Sequence, residues 1–118
     1  CMLSCKIERW LMELIEQSKI QEIVERIVKN YNPDKVILFG SYAQGTATEK
    51  SDVDFLIVKD SPLPRHQRGS EVRRHLYGTF VPMDILVYTN DELEEFRNVK
   101  SSFINTVMNT GKVLYARN

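Results

Sequence analysis

The 118 residues suffice for one buried core and are too few for a second large lobe, so a second lobe is expected to come from another chain. With 42% hydrophobic and 27% charged residues the composition is that of a soluble globular protein. Sixteen basic against 16 acidic side chains (net charge +0) argue against the excess positive charge with which direct nucleic-acid binding normally begins, leaving only local basic patches.

Apolar runs last only a few residues, far below the roughly 18 needed to cross a bilayer, and no secretory pattern precedes them. No membrane association and a cytoplasmic location are therefore expected. Cys1 and Cys5 have no companion Cys or His at metal-site spacing, which supports neither a disulfide framework nor a zinc site.

Ile7, Leu11, Leu14 and Ile15 recur at helical spacing, and Ile20, Ile23, Val24, Ile27 and Val28 do so again. Two helices or one bent helix are expected, with Ser18 and Gln21 in capping-box form at the second start and Asn32-Pro33-Asp34 as the stop. Residues 1–19 then form an amphipathic extension, with Trp10, that packs on the core or docks a partner, and residues 20–118 form the main domain.

Lys35 to Phe39 is a short β-branched run ending at Gly40, the pattern of a buried strand entering a tight turn. A second strand covers Asp52 to Val58, and Pro62 and Pro64 punctuate the loop after it. Arg65 to Tyr77 reads as helix with a break or cap at Gly69-Ser70, and Val81 to Tyr88 as a third strand carrying Asp84. Thr89 and Glu92 have capping-box spacing for a further helix, whose apolar side is Leu93, Phe96, Phe103, Ile104, Val107 and Met108 and whose stop is Gly111. Val113 to Tyr115 is a candidate edge strand. The order α-α-β-β-α-β-α-β implies an α+β fold, an α/β sandwich in which helices pack mainly on one face of a small mixed sheet.

Chemistry concentrates between Gly40 and Asp54. Strand side chains alternate, so Asp52 and Asp54 project to one side and can close on one cation, while Val53, Phe55 and Ile57 point into the core. Two carboxylates held that close repel unless a cation lies between them, and oxygen-only donors suit Mg²⁺, which takes one or two carboxylates and completes its shell with water and phosphate. Gly40 permits close backbone approach to a phosphate, and Ser41, opening a short helix, offers a hydroxyl and amide donors. Asp84 lies in the apolar strand Pro82-Met83-Asp84-Ile85-Leu86-Val87, whose neighbours would point the charge inward or to a sheet end, and burial there requires a partner that the metal pair would supply. His66 and His75, nine residues apart among Arg65, Arg68, Arg73 and Arg74, form no metal-ligand pair and read as a solvated helix face.

The Gly40-Ser41 pair, a ten-residue spacer and the Asp52-Val53-Asp54 triplet resemble the signature of the polymerase-β-like nucleotidyltransferase superfamily. Over about Ile20 to Tyr115 the chain is similar to its minimal nucleotidyltransferase group, including the antitoxins that pair with HEPN proteins. The resemblance implies that Gly40 and Ser41 hold the triphosphate, that Asp52, Asp54 and Asp84 bind two Mg²⁺ ions, and that Asp84 helps activate the acceptor hydroxyl. Gln44 departs from the pattern, standing where many relatives have Arg.

The reaction so implied is in-line attack of a hydroxyl on the α-phosphorus of ATP, catalysed by position and electrostatics rather than by a side-chain nucleophile. By the same resemblance the expected acceptor is a tyrosine of a HEPN RNase toxin, which would make the chain a protein adenylyltransferase antitoxin, in a hetero-oligomer with its toxin. Two other readings stay open: a non-catalytic module that neutralises a partner by contact, and a small-molecule nucleotidyltransferase whose acceptor site forms in a homodimer.

Overall fold

The computed structural model describes residues 2–48, 51–79, 81–96, 98–99 and 102–117, with side chains from residue 17 onward. Where two helices or one bent helix were expected, there is one, α1 (Met2–Tyr31). Ser18 and Gln21 do not start a second helix, because no Gly or Pro interrupts the hydrogen-bond ladder between residues 2 and 31. The expected stop is where it was read: Asn32 takes a left-handed conformation (φ 55°) and Pro33 follows. The apolar stripe of Ile7, Leu11, Leu14 and Ile15, the docking role of Trp10 and both cysteines lie outside the described side chains.

Strand β1 (Lys35–Phe39) leads through a single turn of helix, α2 (Ser41–Gln44), to β2 (Val53–Val58). Helix α3 (Arg65–Arg73) continues as a 3₁₀ turn (Arg74–Leu76) and is followed by β3 (Met83–Tyr88). The break expected at Gly69-Ser70 does not occur. Helix α3 runs through it with Gly69 pressed against β3, where an added Cβ would lie 2.9 Å from the Ile85 carbonyl oxygen.

The single helix expected after Thr89 is two, α4 (Asn90–Phe96) and α5 (Phe103–Thr110). Each has its own N-terminal device. Thr89 and Glu92 form the reciprocal capping box (Thr89 N to Glu92 Oε1 2.8 Å, Glu92 N to Thr89 Oγ1 3.2 Å), and the Ser102 hydroxyl caps Asn105 N at 3.1 Å. Strand β4 (Lys112–Ala116) closes the chain.

The sheet has the order β3-β2-β1-β4, mixed as expected: β1 pairs antiparallel with β2 and β4, and β2 pairs parallel with β3. A parallel pair needs a crossover, and α3 supplies it. The larger apolar layer lies on one face, where Ile23, Val24 and Ile27 of α1 and Val72 of α3 meet Val53, Phe55 and Ile57 of β2. The other face is not bare: Leu93 of α4 and Ile104 and Val107 of α5 cover Leu56 and Val58. Phe55 through Val58 are therefore fully buried, which is why β2 reads as an unbroken apolar run. Each such side chain contributes about 1.5–3 kcal/mol, and together they hold the start of β2 in place.

Among the described residues no helix is long and apolar enough to cross a membrane.

Candidate active site

The antiparallel β1–β2 register sets Phe39 opposite Asp54, so the Gly40 turn falls beside the Asp54 side chain. The parallel β2–β3 register sets Asp84 directly beside Asp54. Asp52 precedes the first residue of β2. Three elements remote in sequence thus bring Gly40, Asp52, Asp54 and Asp84 to one end of the sheet, with Asp54 in the middle.

Contact at this centre is close. A Cβ on Gly40 would lie 2.3 Å from Asp54 Oδ2, and Gly40 itself has φ 76° and ψ −152°, a region closed to residues with side chains. Glycine is required here by its positive φ, and the Asp54 carboxylate beside it adds a close contact that the motif alone does not reveal. Burial pushes the Asp54 carboxyl above its ordinary range, and the charges of Asp84 and then Asp52 push it further. At the same end of the sheet lies the Arg73 guanidinium, with Nη2 3.7 Å from Asp84 Oδ1 and 3.2 Å from the Met83 carbonyl oxygen.

Of the two places open to the Asp84 charge, inward or at a sheet end, it takes the second: its side chain is 69% exposed, because β3 is an edge strand and its second residue faces out at the open end. Ser41 does open a helix, but that helix is one turn whose Ala43 and Gln44 amides both donate to the Gly40 carbonyl (3.1 Å each). Among the described residues no three His, Cys, Asp or Glu side chains are gathered tightly enough to hold a metal ion by themselves. The donor set still suits a hard cation that draws the rest of its ligands from phosphate and water.

A second charged cluster lies at the far end of the β2–β3 pair, and only its capping box was legible in the sequence. Arg68, with a side chain 8% exposed, donates to Glu92 Oε1 (2.5 Å), to the Val87 carbonyl (3.2 Å) and to the Leu63 carbonyl (2.8 Å). Arg65 donates to Glu92 Oε2 at 2.8 Å and stacks on the Tyr88 ring. Burial alone would raise the Glu92 carboxyl, but the Thr89 amide and the two guanidiniums outweigh it and bring it down to about 2. His66 and His75 are exposed, as expected of a solvated helix face.

The match to the Nucleotidyltransferase domain family runs over residues 18–115. The chain belongs to that family. It is thus an enzyme of the nucleotidyltransferase class, and a nucleoside triphosphate is the substrate that the family implies. Two relatives from Methanocaldococcus jannaschii, both provisionally named protein adenylyltransferases, are 36% and 37% identical to it. Each alignment covers 85% of this chain and 98% or 97% of the relative.

Among solved structures, a provisionally named nucleotidyltransferase from Sulfolobus solfataricus superposes with a TM-score of 0.59 at 23% identity, over 85% of this chain and 79% of that one. A toxin–antitoxin structure with AMP-PNP superposes at 0.50 and 22% identity, over 86% and 73% of the two chains. These two likenesses establish the shared α+β fold.

Proposed function

We propose that this nucleotidyltransferase transfers AMP from ATP to a hydroxyl of a protein, with Asp52 and Asp54 binding Mg²⁺ and Asp84 serving the acceptor. The observation that carries this reading is Asp54, crowded by Asp84 in register and by Asp52 two residues away, with bare Gly40 against its free edge. Such like-charge crowding is costly unless a cation offsets it, and perturbed carboxylates of this kind mark working sites.

Bound Mg²⁺ would neutralise charge on the leaving pyrophosphate and lower the pKa of the attacking hydroxyl. The chain's own contribution is position. Gly40 and Ser41, at the end of β1, lie on one flank of Asp54 and are assigned the triphosphate. Asp84, on β3, lies on the other flank and is assigned the acceptor hydroxyl, whose proton its exposed carboxylate can accept.

A protein acceptor is supported by the names of the two Methanocaldococcus relatives, which align over nearly their whole length, and by the toxin–antitoxin likeness. The acceptor we assign is a tyrosine of a HEPN partner, with residues 1–19 as an extension that packs or docks. Calorimetric titration of ATP with and without Mg²⁺, beside the Asp52→Asn/Asp54→Asn variant, tests the site: metal-dependent binding that the variant loses is the expected result. Incubation of a HEPN partner with the chain and MgATP should add the mass of one or more AMP groups to a partner tyrosine; an unmodified partner would remove the acceptor assignment.

A further inference from the structure

Between α3 and the edge of β3 lies a cleft of about 510 Å³, lined among others by Arg65, His66, Ser70, Arg73, Ile85 and Val87. From its position we infer that this cleft binds an acidic, extended segment of the acceptor protein next to the modified residue. The inference rests on the adenylyl-transfer reading above and specifies how its substrate is selected.

Position comes first. The sheet order β3-β2-β1 places the triphosphate flank on β1 and the acceptor flank on β3, so an acceptor chain reaches Asp84 across the β3 edge and past α3. Arg73 joins the two places directly, lining the cleft while its guanidinium sits 3.7 Å from Asp84. Asp84 and Val87 are three strand residues apart, about 10 Å, a span that three or four residues of extended peptide cover.

The chemistry comes next. Of the residues that line the cleft, Arg65 and Arg73 are positive and about half exposed (46% and 51%), and Glu92, paired with Arg65, is negative, an excess of one positive charge. None of the described lining residues is Phe, Tyr or Trp, so the cleft lacks the stacking platforms that a single-stranded nucleic acid would use.

Addition of a partner strand to β3 is blocked. Arg73 occupies the Met83 carbonyl, Arg68 occupies the Val87 carbonyl, and Gly69 lies against that of Ile85. An occupant is therefore read through its side chains, and those that complement this rim are carboxylates.

Fluorescence anisotropy with two labelled pentapeptides, Glu-Glu-Tyr-Glu-Glu and Lys-Lys-Tyr-Lys-Lys, tests the inference. The acidic peptide should bind at least tenfold more tightly than the basic one. His66→Glu/Ser70→Glu should weaken its binding about tenfold, and Ser70→Lys should strengthen it. Both positions are exposed, and a circular dichroism melt of each variant checks the fold.

No preference for the acidic peptide, no response to either variant, or tighter binding of a single-stranded RNA oligonucleotide that competes for the cleft would each overturn the inference. MgATP titration of the unmodified chain separates the two failures. Nucleotide binding without acidic-peptide preference removes only the cleft, whereas absence of nucleotide binding removes the reading on which it rests.

Discussion

The two ends of the parallel β2–β3 pair both carry clustered charge and treat it in opposite ways. Where the strands begin, Asp52, Asp54 and Asp84 set like charges side by side, and the Asp54 carboxyl is pushed up. Where they finish, Arg65 and Arg68 converge on Glu92, every partner is satisfied, and the carboxyl is pulled down to about 2. The first arrangement costs stability at neutral pH and the second contributes it. A fold with only about 5–15 kcal/mol to spare keeps such repulsion where chemistry uses it, and offsets it elsewhere.

Removing the central carboxylate breaks the comparison most directly. Asp54→Asn is expected to lower nucleotidyl transfer about 10³-fold, roughly 4 kcal/mol of transition-state stabilisation, while denaturant unfolding shows equal or greater stability. Retained activity together with a weakened fold would mean that the two ends had been assigned the wrong roles.

The far end should behave in reverse. Arg68→Ala leaves Glu92 without its buried partner and strips the Val87 and Leu63 carbonyls of their donor, so unfolding free energy should fall by about 3 kcal/mol. A loss under about 1 kcal/mol in a urea titration would show that the cluster is ornamental.

Glu92→Gln sharpens the contrast through pH. Its folded-state pKa is depressed from 4.5 to about 2, so the stabilisation is complete above about pH 4.5 and disappears as pH falls through 2. The variant should lie about 2–3 kcal/mol below the parent at pH 7, with the gap closing across that acidic window. A gap that is constant with pH would assign the loss to the capping bond alone.

Gly40→Ala should be the mildest of the destabilising changes, about 2 kcal/mol, from strain at φ 76° and from contact with Asp54. A double-mutant cycle with Asp54→Ala separates these causes. If the carboxylate contact matters, the combined loss falls short of the sum of the singles; strict additivity would leave backbone strain as the only cause.

Much of this was legible in the residues. The β1 run and its Gly40 stop, the buried core of β2, the Thr89–Glu92 box and the β4 edge all follow from short β-branched apolar runs bounded by turn residues and from capping chemistry, which act within a few residues of chain. The family match at 18–115 agrees with a resemblance read over about residues 20 to 115. Misreadings occurred where a local signal was overruled. Ser18 looked like a cap but lies inside an uninterrupted helix, and Gly69 looked like a break but is the point where α3 touches β3. For Asp84 the apolar neighbours left two places open, inward or at a sheet end, and the edge strand exposes it at the end.

By itself the sequence singled out the candidate residues, since Gly40, Ser41, Asp52 and Asp54 belong to one continuous motif and Asp84 stands out as a charge in an apolar strand. Only the tertiary structure decided that Asp84 lies beside Asp54, that Gly40 lies against the Asp54 carboxylate, and that Arg68 neutralises Glu92. Each of these depends on strand order and on a parallel register reached through a helical crossover. No rule limited to a few neighbouring residues can specify a contact between groups that meet only when the sheet closes.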